Sequence, residues 1–459
     1  MSLGCPKTLV DSETILGKLP APHYALVPSV TDCDIALLNT CTFIHEAQEE
    51  SVNRILELIE LKKEKRIRAI IVMGCLVQRY PQELQQELKE VDAFIGSGDY
   101  HKIPEIVGQV FQGERVVSIA KPGYLSTSGE ARVALTPRHY RYVKISEGCD
   151  HICAFCTIPS FRGKHRSRTI ADVTTETRRL IAEGAKEIIL TGQDTTFYGK
   201  DLEGQFLMPE LIRALDDLPG LAWLRILYAY PSCIPPEMIA AMKDATHVCH
   251  YLDMPLQHAS DAMLAAMRRG ITKRRTYDLI RRFRDAMPDL AIRTTFIVGF
   301  PGETDEDFQE LLGFMRENRF ERLGIFTYSQ EEGTPAAAMP GQVEDAVKRE
   351  RLDIAMRLQQ EISREKNEQF LNKTLDVLID APDGEGSISP RTSGGGLMKT
   401  GPDDQEPHVW TGRTYMDAPE VDGSVFVESQ EPLTIGQIYP VRIFKTKEYD
   451  LVGKIQPVV

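Results

Sequence analysis

Six of the nine cysteines in this chain fall into two sets of three. One set is compact: Cys149-Asp150-His151-Ile152-Cys153-Ala154-Phe155-Cys156, a C-x-x-x-C-x-x-C loop. The other is dispersed over Cys5, Cys41 and Cys75, each just after an apolar run that reads as a strand. A structural zinc site takes four ligands in closed tetrahedral geometry, and iron–sulfur cubes are also usually held by four thiolates. Three thiolates leave one iron open to a small molecule, and an open position is what catalysis uses. Two such sets point to an enzyme. Cys33, Cys233 and Cys249 stand outside both sets and read as small buried hydrophobes.

Strands must deliver these thiols. Residues 1–117 alternate apolar runs (Tyr24–Val27, Ile35–Leu38, Ala69–Met73) with a helix over Ala47–Leu61 that puts Val52, Ile55 and Ile59 on one face. That alternation predicts a doubly wound parallel sheet, whose strand exits form a ligand crevice. Leu3-Gly4-Cys5, Asn39-Thr40-Cys41 and Met73-Gly74-Cys75 all sit at such exits, so three distant cysteines can converge. Residues 118–137, rich in Gly, Ser, Thr and Pro, read as a linker. Residues 138–372 carry six further apolar runs with helical intervals: Tyr140–Ile145, Glu187–Leu190, Leu224–Tyr228, Tyr251–Met254, Ile292–Val298 and Gly324–Phe326. They predict a partial (β/α)6 barrel with the compact motif leaving its first strand, at the face where such barrels keep their chemistry. A charged helix over Val343–Phe370 leads to residues 373–459. There short β-rich runs at Thr374–Ile379, Val425–Val427 and Tyr439–Phe444 predict a small β-barrel, with Gly394-Gly395-Gly396 as a local flexible loop.

Net charge is −13 and pI about 5.4, which excludes a general nucleic-acid binder held by counterion release. Residues 374–459 hold 14 Asp and Glu against 7 Lys and Arg. Asp417, Glu420 and Asp422 lie close together there and are the expected contact for a basic protein partner. Residues 1–20 lack the basic start and apolar core of a signal peptide. No apolar run approaches the ~20 residues of a membrane span. Cytosol is therefore the expected compartment, where cysteines act as ligands rather than disulfides. Past the compact motif, Arg162, Lys164, His165, Arg166 and Arg168 form a basic cluster able to meet a substrate carboxylate or phosphate.

The compact loop, with Phe155 in its aromatic slot, resembles the signature of the radical S-adenosylmethionine (SAM) superfamily. With the second triplet, the whole chain resembles the methylthiotransferases of that superfamily: an N-terminal domain with three cluster cysteines, a partial barrel, and a small barrel called TRAM. Ser2-Leu3-Gly4-Cys5-Pro6-Lys7, Pro255-Leu256-Gln257-His258 and Gly412–Glu420 are similar to the RimO type, which modifies ribosomal protein S12. The resemblance implies two 4Fe–4S clusters, held by Cys5, Cys41 and Cys75 and by Cys149, Cys153 and Cys156, with SAM at the second. It implies that Phe155 and the loops bearing Gly192, Gln193 and Gly299 line the SAM pocket; Arg162, from the basic cluster, is the expected substrate contact there. The implied reaction uses two SAM: one methylates sulfur at the first cluster, the other yields a deoxyadenosyl radical that takes hydrogen from the β-carbon of an aspartate. An electron donor such as flavodoxin or ferredoxin is implied as well.

The alternatives are a transfer-RNA adenosine methylthiotransferase and a non-catalytic RNA-binding protein with structural clusters. Against the first, the acidic tail repels phosphate. Against the second, the triplets are open. Thr8 stands where the family usually has Asn. Only Met1 precedes Ser2, so either the start lies upstream or the first strand is a stub.

Overall fold

The computed structural model describes residues 1–383 and 408–456; the Gly394–Gly396 run lies outside them. Four strands, β1 (Ile35–Thr40), β2 (Ala69–Gly74), β3 (Ala93–Ile95) and β4 (Val116–Ser118), form a parallel sheet in that order. Alternation along β2 sorts its side chains into two cores. Ile70 and Val72 pack with Ile55, Leu58 and Ile59 of helix α2 (His45–Lys63). Ile71 and Met73 pack with Ile15 of α1 (Pro6–Gly17) and with Ile103, Ile106 and Val107 further along. Both faces are covered, which is why the strand reads as one continuous apolar run.

Two expected strands differ. Tyr24–Val27 has no strand; Leu26 is 58% exposed. The free edge of β1 is taken instead by Ser2, bridged to Asn39, so the segment before Cys5 is a single bridge rather than a full strand.

The central sheet is parallel, open and six-stranded. It runs β5 (Tyr140–Lys144), then β8 (Glu187–Thr191), β9 (Trp223–Ile226), β10 (Val248–Asp253), β11 (Ala291–Val298) and β12 (Arg322–Thr327). Between β5 and β8 a small antiparallel pair, β6 (Ser146–Glu147) with β7 (Arg166–Ser167), brackets the cysteine loop. All six apolar runs of this region are strands. Val143, Leu190, Ile226, Leu252, Ile292 and Phe296 bury outward against the helices. The inward residues Tyr140, Tyr142, Ile189 and Tyr251 meet Val10 of α1 and Met416 and Ala418 from the C-terminal region. Other parts of the chain thus fill the barrel.

Five strands close the last unit: β13 (Thr374–Pro382), β14 (His408–Arg413), β15 (Val425–Ser429), β16 (Ile438–Thr446) and β17 (Leu451–Ile455). Of these, β14 and β17 are additions to the sequence reading.

The expected docking acids are largely turned inward. Asp417 is 1% exposed and accepts from Arg322 Nε at 2.8 Å. Asp422 accepts from Tyr251 Oη at 2.7 Å and from Arg293 Nε at 3.2 Å. Only Glu420 is exposed, at 3.3 Å from Tyr140 Oη. The barrel strands carry buried arginines near their starts, and these acids neutralise them. Asp417 and Asp422 therefore pin the C-terminal barrel to the central sheet and are not available to a partner. Removing one member of a buried pair strands the other charge, which costs about 3–5 kcal/mol. Asp417→Ala should lower stability by that order in denaturant titration, whereas exposed Glu420→Gln should stay within about 0.5 kcal/mol.

Candidate active site at the two thiol triplets

Cys41 follows β1 and Cys75 opens α3 (Cys75–Arg79) directly after β2, whose last residue Gly74 pairs with Thr40. The two thiols leave neighbouring strands at one level. Cys5 is the N-cap of α1 and comes up beside them. Gly4, at φ +90°, makes this possible: a Cβ there would lie 2.8 Å from Cys41 Cβ and 2.9 Å from its Sγ. Thr8, the departure from the family pattern, serves the site. Its Oγ1 accepts from the Cys5 N–H at 3.2 Å and lies 3.4 Å from Cys5 Sγ.

The compact loop is tied down by backbone. The Cys149 N–H donates to Gly163 O at 3.1 Å and the Ala154 N–H to Met267 O at 3.0 Å. Arg269 Nη1 donates to Cys153 Sγ at 3.3 Å, and Tyr230 Oη lies 3.7 Å from the same sulfur. His151 stacks on the Tyr230 ring at 3.6 Å and bonds Asp194 at 2.6 Å. Phe155 packs beside the cluster of Met263, Met267, Phe300 and Tyr328.

The expected pocket loops divide. Gly192 lies against Ser146, whose Oγ would sit 2.6 Å from an added Cβ. Gln193 donates to Glu147 Oε1 at 2.8 Å, while its own Oε1 is buried without a partner, as are Ser146 Oγ and Thr157 Oγ1. Three unspent polar atoms beside the loop suit a polar ligand. Gly299 does not belong with them. Its N–H is held by the Glu303 carboxylate, and its Cα faces Lys348, whose Cγ lies 2.3 Å from where a Cβ would be. That glycine serves loop packing.

Arg162 is likewise corrected. It ends a short helix (Ile158–Arg162) and is buried, with 4% of its surface exposed. Its Nη1 donates to Asp11 Oδ2 at 2.7 Å and lies 3.3 Å from Glu147 Oε2. Its Nη2 and Nε donate to Cys75 Sγ at 3.0 and 3.3 Å. Lys144 completes the group, bonding Asp11 and, at 2.6 Å, Glu147. Burial raises the Glu147 carboxyl, but Lys144 and Arg162 outweigh it and hold it at about 2. Asp11 belongs to the helix behind Cys5, while Arg162 follows the compact loop. Four buried charges therefore join the two triplets. His165 and Arg168 of the basic cluster are buried too, and Lys164 is exposed.

Among the described residues, neither donor set is a preformed zinc site, and three thiols with no fourth ligand suit a cube with one open iron. A tetrahedral zinc site, with Zn–S near 2.3 Å, puts its sulfurs within about 4 Å of one another. Neither triplet does so: among the described residues, only His151, Asp194 and Cys233 bring three such ligand atoms within 4.8 Å of each other. The cysteines are free of disulfides. Burial pushes the Cys75, Cys149 and Cys156 thiols up to about 12, so as bare thiols they stay protonated, and a bound metal would favour their thiolates. Cys5 differs, because Lys7 and Thr8 overcome its burial and hold its thiol below the usual range. One guanidinium is aimed at a sulfur of each set.

Family comparison agrees with the division of the fold. A profile for the radical SAM superfamily matches residues 143–315, one for an uncharacterised protein family, UPF0004, residues 1–96, and one for the TRAM domain residues 399–455. Proteins called ribosomal protein uS12 methylthiotransferase RimO align over nearly the whole chain. That of Desulforamulus reducens is 42% identical over 99% of this chain and 98% of its own length. That of Pelotomaculum thermopropionicum is 44% identical over 99% and 98%.

The chain belongs to the uS12 methylthiotransferase RimO family.

Among solved structures, the radical SAM methyltransferase TsrM of Kitasatospora setae superposes with a TM-score of 0.50 at 16% identity, covering 66% of this chain and 63% of that one. It shares the fold.

Residue types alone did not single out Asp11, Lys144, Glu147, Tyr230 or Arg269. Two signals were present: the aromatic pair Tyr228-Ala229-Tyr230 at a strand exit, and Arg268-Arg269-Gly270 after a short helix. Because Arg162 holds Cys75, Arg162→Met should lose iron from the dispersed site, falling from about eight toward about four irons per chain after reconstitution. Arg162→Lys, which keeps the charge without the fork, should lie between. Iron assay with Mössbauer spectroscopy reads the two sites separately.

Proposed function

We propose that the protein is a radical SAM methylthiotransferase that replaces one β-C–H of an aspartate in ribosomal protein uS12 with C–SCH3. One observation carries this reading beyond family membership: two open thiol triplets lie at one face and are joined through the Asp11–Arg162 contact. A β-C–H is not acidic, so no base can break it, and radical chemistry is required. Bound 4Fe–4S clusters supply the electron that cleaves SAM and the site that holds the transferred sulfur.

The chain's residues do the rest. Cys149, Cys153 and Cys156 hold one cluster and Cys5, Cys41 and Cys75 the other. Gln193 and Ser146 offer polar atoms to SAM. Val10, Met416 and the inward tyrosines fill the barrel and keep water from a reactive carbon centre. A reduced flavodoxin or ferredoxin serves as electron donor. No helix among the described residues is long and apolar enough to cross a membrane, in keeping with a cytoplasmic enzyme. A net charge of −13 favours a basic protein partner over nucleic acid.

Anaerobic reconstitution followed by dithionite, SAM and uS12 tests the reading. Changing Cys149, Cys153 and Cys156 to Ala should leave about four irons and end formation of 5′-deoxyadenosine. Changing Cys5, Cys41 and Cys75 should preserve 5′-deoxyadenosine formation and end methylthiolation by mass spectrometry. If either folded triple variant lost all its iron, the two-cluster reading would be wrong.

A further inference from the structure

Lys7 is a buried cation in a place that does not welcome one. It is the second residue of α1, next to the partial positive charge of the helix N-terminus, and no acidic residue stands in that first turn. It is 7% exposed. Among the described residues no carboxylate lies within 4.0 Å of its Nζ. The amine instead rests on the face of Tyr228, 3.2 Å from the ring centroid. The nearby Asp253 is committed elsewhere: it accepts from Arg293 Nη1 at 2.8 Å and from the Tyr228 N–H at 3.0 Å.

The position is as informative as the charge. Lys7 is two residues from Cys5. Tyr228 is two residues from Tyr230, whose hydroxyl approaches Cys153 Sγ. The short exit of β9 therefore touches Lys7 with one tyrosine and the compact triplet with the other, two residues apart. Tyr228 holds φ +60°, a conformation that a bulky side chain rarely adopts and that tends to mark functional sites. The Lys7 amine thus has Cys5 two residues away on its own chain segment and, through Tyr228 and Tyr230, the Cys153 thiol on the other side. That is where a carbon must sit to lose hydrogen on one side and gain sulfur on the other.

We propose that Lys7 binds the side-chain carboxylate of the substrate aspartate and so places its β-carbon, one bond from that carboxylate, between the triplets. This rests on the reading of the protein as an aspartate methylthiotransferase. It makes Lys7 a specificity residue. Asparagine lacks the charge, glutamate sets its β-carbon one bond further away, and a nucleobase offers no carboxylate at all. The competing role is neutralisation of the Cys5 thiolate, which would act on the cluster and not on the choice of substrate.

The test uses the reconstituted full chain and two uS12 peptides that differ only in Asp or Asn at the target position. Wild type should bind and modify the Asp peptide at least tenfold more efficiently. Lys7→Met should raise KM for the Asp peptide tenfold or more and abolish the preference, and Lys7→Arg should restore much of it. Iron content, measured on the same preparations, should stay near wild type, and any shift in the potential of the dispersed-site cluster should be the same with either peptide. A Lys7→Met enzyme that keeps the Asp preference overturns the proposal. So does one whose cluster potential shifts while both peptides lose equally. If wild type modifies neither peptide nor whole uS12, the parent reading fails and this one with it. If it modifies uS12 and only the preference is insensitive to Lys7, the parent reading stands alone.

Discussion

The active face depends on one buried cluster of charges: Asp11, Lys144, Glu147 and Arg162. Two acids and two bases sum to zero, and each is at most 4% exposed. Such a group is not an efficient source of stability, because desolvating four charges offsets most of their attraction. Its value is geometric. Asp11 lies on the helix that begins at Cys5, Lys144 ends β5, Glu147 precedes the compact loop, and Arg162 follows it. Hydrogen bonds of fixed direction hold these four pieces in one register, as oil-like contacts would not. Arg162 then spends its remaining donors on Cys75, so the same residue ties the compact loop to a thiol of the dispersed triplet.

The rest of the molecule keeps that face supported. An open six-stranded sheet cannot close on itself, and its inner surface needs cover. Val10 of α1 enters from the side of the thiols, while Met416 and Ala418 enter with the C-terminal barrel. Arginines near the strand starts meet acids that follow β14, Arg322 with Asp417 and Arg293 with Asp422, and in the opposite sense Arg413 of β14 meets Glu187 at the start of β8 at 2.8 Å. The linker region also carries load. Arg132 bonds Glu13 on α1 and Glu176 at 2.6 Å on a barrel helix, drawing the first unit onto the second. Chemistry is gathered at the strand exits, and structural charge pairs at the strand starts.

This division changes the meaning of the acidic tail. Its surplus charge is real, but two of the acids nearest in sequence are spent on internal arginines. Attraction for a basic partner then belongs to the field of the whole chain rather than to one segment. Lys7 on Tyr228 and Arg269 on Tyr230 form two cation–aromatic pairs beside the thiols, and it is to the first of these that we assign discrimination among substrates.

Much of this was legible from the amino-acid order. The spacing of Cys149, Cys153 and Cys156, the three glycine- or threonine-preceded cysteines, and six apolar runs of barrel length are local patterns, and local patterns survive without a structure. Tyr24–Val27 failed because an apolar run does not reveal whether a sheet edge is free to receive it; Ser2 already occupied that edge. Arg162, Asp417 and Asp422 failed for a related reason. A charged side chain looks the same in sequence whether it meets water or a partner more than 90 residues away, as Arg322 does at Asp417. Burial and pairing of charge are properties of the folded chain. Sequence determined the spacing of the two thiol triplets and where most of the strands form. Only the tertiary structure decided which charges neutralise one another and which, like Lys7, are left facing the site.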